Sequence, residues 1–288
     1  MVVAERNDIA QVPINSVADQ IVTYYRESPG YLNGPLAGTC HFGFTPDGED
    51  FRVRNALKSM EDLMAQKLGL PVGSKVLDAG CGYGRVATTM ASEHGLEVIG
   101  VDLIPERLEE AFRFIKLNNA SGKVTLLQGN YCRLPIRDSS LSGVYTMETL
   151  VHADPLEKAL GEFWRVLKPG GRITCFEYSV PPEETLDPIR KSITDSMVEK
   201  IGMASIKRFT HNAFPGIFEK AGFENIEVED ISQNVWPTWR WLFLRAINRL
   251  PKFLDNQDQD KINLIASLMI WPYRHQLGYK VVTANKPN

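Results

Sequence analysis

The residues best suited to do chemistry in this chain are three alternate glycines and a distant aspartate. Gly80, Gly82 and Gly84 follow a short apolar run and precede a helical pattern, so they predict a turn whose backbone comes close to a ligand. Asp102 ends a second apolar run about twenty residues later, the distance at which a carboxylate reaches the two hydroxyls of a ribose. The spacing therefore predicts a cleft that binds a nucleoside.

Two further residues separate the candidate nucleotides. A dinucleotide-binding turn needs glycine or alanine three positions after its second glycine, so that the helix packs beneath a pyrophosphate, but this chain has Arg85 there. Asp78, which precedes the first glycine, would repel a pyrophosphate but could accept a hydrogen bond from an ammonium group. The ligand is therefore expected to carry both a ribose and a positive charge.

The pattern Asp78-x-Gly80-x-Gly82-x-Gly84 with Asp102 resembles the first two motifs of class I S-adenosylmethionine-dependent methyltransferases. The resemblance implies S-adenosylmethionine as the cofactor. It also implies that Asn130 takes the place of an acidic residue that usually accepts from the adenine amino group. The implied cofactor-binding residues are Asp78, Gly80, Cys81, Gly82, Asp102, Leu103, Gly129, Asn130, Tyr131 and Met147.

Three other segments resemble the branch that contains sterol C-methyltransferases and tocopherol-type methyltransferases. They are Glu148–Ala153, Glu162–Gly171, and the N-terminal Tyr24-Tyr25 pair with His41–Gly43. This resemblance implies methyl transfer to a lipophilic small molecule, an isoprenoid, a sterol-like compound or another natural product, at carbon. N- or O-methylation of an alkaloid or polyketide is an alternative, and so is a methyltransferase-like cyclase that binds the cofactor without methyl transfer.

Methylation of an alkene carbon leaves a carbocation that must be shielded from water and must then lose a proton. The candidate catalytic residues are His152, Glu148, Tyr25 and His41, with His152 as the first candidate for the base. A purely structural hydrogen-bonding role is the alternative for His152. Aromatic faces stabilise a carbocation, and the candidates are Tyr24, Tyr25, Tyr31, Phe42, Phe44, Trp236, Trp239 and Trp241.

The elements that must position these residues alternate between strands and helices from residue 75 onward, which predicts a parallel sheet with helices on both faces. Two insertions, 183–209 and 231–276, interrupt the alternation, and the last predicted strand covers 278–284. The order at the C-terminal end is similar to the methyltransferase sheet, whose seventh strand is antiparallel. The expected fold class is α/β, a Rossmann-like seven-stranded class I methyltransferase sheet with helical insertions that form a substrate lid.

Three regions are expected along the chain. Residues 1–70 provide N-terminal helices and a lid, 71–180 form the S-adenosylmethionine-binding core, and 181–288 form a cap of insertions with the C-terminal strands of the same domain. The loop 28–50 is rich in glycine, proline and aromatic residues, which predicts a lid over a ligand, with a solvated connector as the alternative.

The segment 236–254 combines Trp and Leu with four basic residues and no acidic one. This composition suits a lid over a greasy substrate, a helix lying on a membrane surface, or a helix packed on the domain core or on a second subunit. A peripheral membrane contact and a homodimer are therefore both open.

The amino-acid composition limits the classes of partner and the cellular compartments that are expected. A net charge of −3 gives no broad basic field, so no nucleic acid is expected as a partner. Four cysteines without paired spacing and a charged N-terminus suit a cytoplasmic protein, and no run approaches the roughly 18 apolar residues that cross a bilayer. Asp154 alone cannot hold magnesium, so no metal is expected.

Overall fold

The computed structural model describes residues 17–27, 38–254 and 261–288, and one seven-stranded sheet forms its centre. In chain order the strands are β1 (Lys75–Ala79), β2 (Glu97–Asp102), β3 (Val124–Gln128), β4 (Leu141–Met147), β5 (Leu167–Ser179), β6 (Glu224–Asp230) and β7 (Gly278–Asn285). Their order across the sheet is β3-β2-β1-β4-β5-β7-β6, and β7 runs antiparallel to both of its neighbours. The predicted α/β fold is confirmed, including its antiparallel seventh strand.

Nine helices surround this sheet in the described part of the chain. They are α1 (Val17–Glu27), α2 (Val53–Leu68), α3 (Arg85–Ser92), α4 (Pro105–Leu117), α5 (Leu156–Val166), α6 (Pro188–Ile201), α7 (Phe214–Lys220), α8 (Ser232–Leu254) and α9 (Lys261–Ile270). The first predicted insertion contains α6, and the second contains α8 and α9. None of the described helices is long and apolar enough to cross a bilayer.

One boundary differs clearly from the sequence expectation. The sequence predicts that a helix runs to Leu167 and that a strand begins at Gly171, but β5 already begins at Leu167. Leu167 pairs with Leu141 at the start of β4, and a register shift then separates this pair from the pair of Gly143 and Arg172. Pairing with β4 therefore draws the proline-glycine segment into an irregular strand start.

The central strands β1, β4 and β5 are buried on both faces, because consecutive strand residues point to opposite sides and each side packs into a core. On one side Leu77 and Val144 join a core with Phe163 of α5. On the other side Val76 and Tyr145 join a second core that includes residues of α2, α3 and α8. The strands are thereby fixed in position, and the loops at their carboxyl ends are held on a rigid edge.

Helices outside the alternating pattern gather at this edge. α1 packs against α6, and a Cβ on Gly202 at the end of α6 would lie 2.7 Å from Ile21. α8 packs against α9 and also contacts β7. These helices supply one wall of the site described next.

Candidate active site

The turn after β1 brings backbone to the edge of the sheet. Gly80 has φ of 87°, and a Cβ there would lie 2.6 Å from Thr149 Oγ1, so only glycine fits without displacement. The amides of Gly80 and Cys81 both donate to Val101 O, at 2.8 and 3.0 Å. This turn is therefore a fixed backbone surface on the floor of a cleft of about 270 Å³.

Asp102 ends β2 on one side of this cleft. Its Oδ2 accepts from the Gly82 amide at 2.8 Å, and its Oδ1 accepts from the Ile104 amide at 3.0 Å. Each carboxylate oxygen can accept two hydrogen bonds, so each keeps one site for a ligand hydroxyl. The geometry fits a ribose diol, as the spacing predicts.

Asp78 lines the same cleft from β1. Its Oδ2 accepts from the Tyr145 hydroxyl at 3.1 Å, and burial raises the pKa of Asp78 to about 7. The hydrogen bond from Tyr145 opposes this rise without cancelling it. A ligand cation at this carboxyl group would favour its ionised form.

The remaining residues predicted to bind the cofactor line the same cleft. They are Leu103, Gly129, Asn130, Tyr131, Met147, Cys81 and Gly82, so every predicted cofactor residue lies around one cleft. Asn130 Oδ1 already accepts from the Cys132 amide at 2.8 Å, and the Tyr131 hydroxyl donates to Thr149 O at 2.8 Å. Both side chains are therefore partly committed to shaping the turn after β3.

A second and more apolar cavity of about 320 Å³ adjoins the cleft, and we call it the chamber. Its lining comes from α1, the 39–42 segment, the end of β5, α6, α8 and α9. Six residues line both the chamber and the cleft, and together they form what we call the shared wall: Tyr25, Thr39, Cys40, His41, Glu148 and His152. The four candidate catalytic residues therefore all lie on the shared wall.

His152 makes two hydrogen bonds on this wall. Its Nδ1 lies 3.0 Å from Gly202 O, and its Nε2 lies 3.0 Å from the Tyr25 hydroxyl. Since a carbonyl oxygen only accepts, Nδ1 carries the proton and Nε2 accepts from Tyr25. Burial lowers the pKa of His152 to about 4, so the ring is neutral near pH 7.

Glu148 is buried and its hydrogen bonds come from three directions. Its carboxylate accepts from the Phe42 amide at 2.6 Å, from the Tyr279 hydroxyl at 2.8 Å and from the Tyr178 hydroxyl. Burial raises the pKa of Glu148 despite these bonds. The backbone of Glu148 has φ of 57°, an uncommon conformation for a residue with a side chain, and it directs the carboxylate into this network.

His41 lies beside a buried carboxylate that the sequence analysis missed. Its Nδ1 lies 2.8 Å from Phe42 O, and its Nε2 lies 3.6 Å from Glu61 Oε1 on α2. Burial opposes ionisation of Glu61, but His41, Arg85 and Thr89 outweigh it and lower the pKa of Glu61 to about 2. The sequence does contain a signal for this buried carboxylate, because Glu61 is a charged residue on the otherwise apolar face of α2.

The aromatic candidates divide by position. Tyr24, Tyr25, Phe42, Trp239 and Trp241 line the chamber, whereas Phe44 and Trp236 do not. Tyr31 lies outside the described residues, as does the 28–37 part of the expected lid loop. Tyr178, which the sequence analysis did not single out, lines the chamber and has its ring centroid 5.8 Å from that of Phe42.

Residues 236–254 lie within α8, and one face of this helix forms chamber wall. Trp239, Leu242 and Ala246 line the cavity, whereas Leu244 and Ile247 are exposed on the helix. The lid role proposed for this segment stays a prediction, and it would involve the face that lines the chamber. Contact of the exposed face with a membrane surface or a second subunit stays a prediction.

The described residues contain no group of three or more His, Cys, Asp or Glu side chains arranged to hold a metal ion.

Comparison with known proteins gives three kinds of match. Residues 77–175 match the family model described as a methyltransferase domain. The S-adenosyl-L-methionine-dependent Diels-Alderase iccD of Talaromyces variabilis is 37% identical over 285 residues, which cover 93% of this chain and 94% of that protein. A sterol 24-C-methyltransferase of Kluyveromyces lactis is 24% identical over 239 residues, covering 80% of this chain and 63% of that protein. The solved structure of the [4+2]-cyclase SpnF superposes with a TM-score of 0.80 and 21% identity, covering 96% of this chain and 98% of that one.

Proposed function

The chain belongs to the class I S-adenosylmethionine-dependent methyltransferase family, and from this premise we propose that it methylates a lipophilic natural product, an isoprenoid or a sterol-like compound, at carbon. The single observation that carries the proposal is the apolar chamber that meets the cofactor cleft across the shared wall. A substrate in the chamber would lie next to the reactive end of the cofactor.

Bound S-adenosylmethionine supplies an electrophilic methyl group, and the protein holds the cofactor and the acceptor in place. Asp102 and the glycine turn would fix the nucleoside, while the chamber would hold the acceptor carbon in line with the methyl group. Holding two reactants in line can lower the barrier by as much as about 7 to 11 kcal/mol. The chamber would also keep water away from the acceptor, because its lining is mostly apolar.

An alkene carbon that receives the methyl group leaves a carbocation on its neighbour. Tyr25, Phe42 and Trp239 line the chamber and present aromatic rings, each worth about 2 kcal/mol to a desolvated cation. The cation then loses a proton to restore the double bond. The Tyr25 oxygen would take this proton while its own proton passes to His152 Nε2, 3.0 Å away.

A second candidate is cyclisation of a polyene without methyl transfer. One observation favours it: the two candidate bases on the shared wall already accept hydrogen bonds from tyrosine hydroxyls. His152 accepts from Tyr25, and Glu148 accepts from Tyr178 and Tyr279, so neither base faces the chamber without a partner. A pericyclic ring closure needs a shaped apolar cavity and no base. One relative that matches this chain over nearly its whole length is named for such a reaction.

One experiment separates the two reactions. The protein is incubated with methyl-labelled S-adenosylmethionine and a panel of isoprenoids, sterols, indoles, phenolics and linear polyenes, and the products are analysed by mass. Methyl transfer gives labelled, heavier products and stops when S-adenosylhomocysteine replaces the cofactor. Cyclisation gives an unlabelled isomer of the substrate and continues with S-adenosylhomocysteine, which would overturn the methyl-transfer proposal.

A further inference from the structure

Arg107 is a buried cation with incomplete hydrogen bonding. It lies in the first turn of α4, is 7% exposed, and lines the cofactor cleft. Its Nε and Nη2 have no hydrogen-bond partner, and no ion pair of the described residues includes it. A guanidinium group cannot give up its charge in a protein, so these donors need acceptors from elsewhere.

The neighbours of Arg107 attract its charge, the Asp102 carboxylate among them, but they leave Nε and Nη2 without hydrogen bonds. Its guanidinium lies 3.7 Å from the centroid of the Tyr25 ring and 5.0 Å from that of Tyr83. Burial raises the pKa of Cys40 and of Tyr83, so both groups stay neutral near pH 7. Aromatic faces attract the cation but leave its in-plane N–H groups free.

The guanidinium group of Arg107 lines the part of the cleft where the nucleoside is expected, and its nitrogen nearest the glycine turn is Nη1. Nη1 of Arg107 lies 3.7 Å from the point that a Cβ on Gly82 would occupy. The Gly82 amide donates to Asp102, so the same short stretch of turn has a carboxylate on one side and a guanidinium on the other. A ribose hydroxyl both donates and accepts and could therefore satisfy both groups.

Arg107 also connects the cleft to α1. The adjacent Glu106 pairs with Arg26 at 2.8 Å, and Tyr25, which lies under the guanidinium, donates to His152 on the shared wall. The start of α4 thus holds two consecutive residues of α1.

We propose that Arg107 is a cofactor-binding residue that also positions Tyr25: N–H groups of its guanidinium bind oxygen atoms of the cofactor, and its flat face holds Tyr25 on the shared wall. The oxygen atoms come from the ribose or from the methionine carboxylate. The inference requires only the cofactor, so it is independent of whether the chamber supports methyl transfer or cyclisation. Cofactor binding would thereby order α1 and complete the wall of the chamber.

The first test is calorimetric binding of S-adenosylhomocysteine to Arg107→Met. We expect at least a tenfold loss of affinity while the thermal midpoint of the cofactor-free protein stays the same or rises, because an unpaired buried charge has been removed. Arg113→Met is the matched control, since Arg113 lies on the same helix, is exposed and pairs with Glu110. A purely structural Arg107 would instead lower the thermal midpoint and leave the affinity unchanged, which would overturn the proposal.

The second test uses a shorter ligand to identify the oxygen atoms. Comparable losses for S-adenosylhomocysteine and 5′-methylthioadenosine, which lacks the carboxylate, would assign the ribose. A loss confined to S-adenosylhomocysteine would assign the carboxylate. If Arg107→Met does not fold, Arg107→Lys keeps the charge but not the planar fork, and wild-type affinity in that variant would overturn the proposal.

The third test follows α1 directly by hydrogen exchange. In the wild-type protein, S-adenosylhomocysteine is expected to slow exchange of the amides in 17–27, and in Arg107→Met, saturated with the same ligand, this protection is expected to be lost. Equal protection of 17–27 in both proteins would overturn the positioning of Tyr25.

Discussion

The cofactor cleft and the chamber share one wall but are built in different ways. The cleft is formed mainly by the carboxyl ends of β1, β2, β3 and β4, and its key contacts are made by backbone amides, such as that of Gly82 on Asp102. The chamber is formed by side chains that meet from distant parts of the chain. Phe42, for example, has its ring centroid 5.8 Å from that of Trp239.

This difference separates cofactor binding from substrate choice. Changes in α6, α8 or α9 can reshape the chamber while the sheet and the glycine turn stay in place. The relatives are consistent with this separation, because a Diels-Alderase and a sterol C-methyltransferase both match this chain. A substitution in the shared wall should therefore change the reaction without changing the affinity for the cofactor.

The largest expected effect tests that wall. Tyr25→Phe keeps the ring beneath Arg107 but removes the hydroxyl that donates to His152. If the pair relays a proton, turnover should fall by about a hundredfold, the lower end of the range for a positioned acid-base group. The affinity for S-adenosylhomocysteine, measured by calorimetry, should change little.

The same variant also tests the alternative reaction. A cyclisation that transfers no proton would keep its rate in Tyr25→Phe. Thermal unfolding serves as the control, because a loss of stability that accompanies a loss of turnover would indicate a structural role for the Tyr25–His152 bond.

The cleft could be predicted from the sequence because its determinants are local. Position 80 lies on a strand-to-helix turn and requires glycine, because its φ is positive and a Cβ there would collide with Thr149. Asp102 follows Gly80 after one helix and one strand, and these two elements set the spacing between the two residues. Alternating apolar runs were enough to locate β1 to β4. The predicted start of β5 was wrong, because the strand begins where Leu167 pairs with Leu141, and a helix-stop signal in the sequence does not reveal this pairing.

For the chamber, the sequence predicted only which types of residue would line it. The sequence indicated that aromatic residues near 24–44 and 236–241 surround a substrate, but not that Trp239 faces inward while Trp236 does not line the cavity. Arg107 carried no signal at all, because an arginine in the first turn of a helix is ordinarily a solvated residue. Its role depends on the approach of α1, which lies about 80 residues earlier in the chain.

The next effect in size tests the cleft alone. Asp102→Ala removes the acceptor for the Gly82 and Ile104 amides and for the ribose, and each charge-assisted bond contributes about 1.5 to 3 kcal/mol. We expect cofactor affinity to fall by about 10- to 100-fold in calorimetry. A polyene or isoprenoid that binds the chamber without cofactor should bind Asp102→Ala as it binds the wild-type protein. Loss of both affinities would contradict the separation of the two regions.

The smallest effect depends on pH and concerns Asp78. Because burial raises the pKa of Asp78 to about 7, much of this carboxyl group is protonated in the free protein near neutrality. A cationic ligand favours the carboxylate, so binding releases a proton, and affinity should fall by up to about tenfold for each pH unit below 7. Calorimetry in buffers of different ionisation enthalpy measures the released proton. Asp78→Asn should abolish the part of the release that belongs to this group, and an identical pH profile in both proteins would show that the cofactor cation does not contact Asp78.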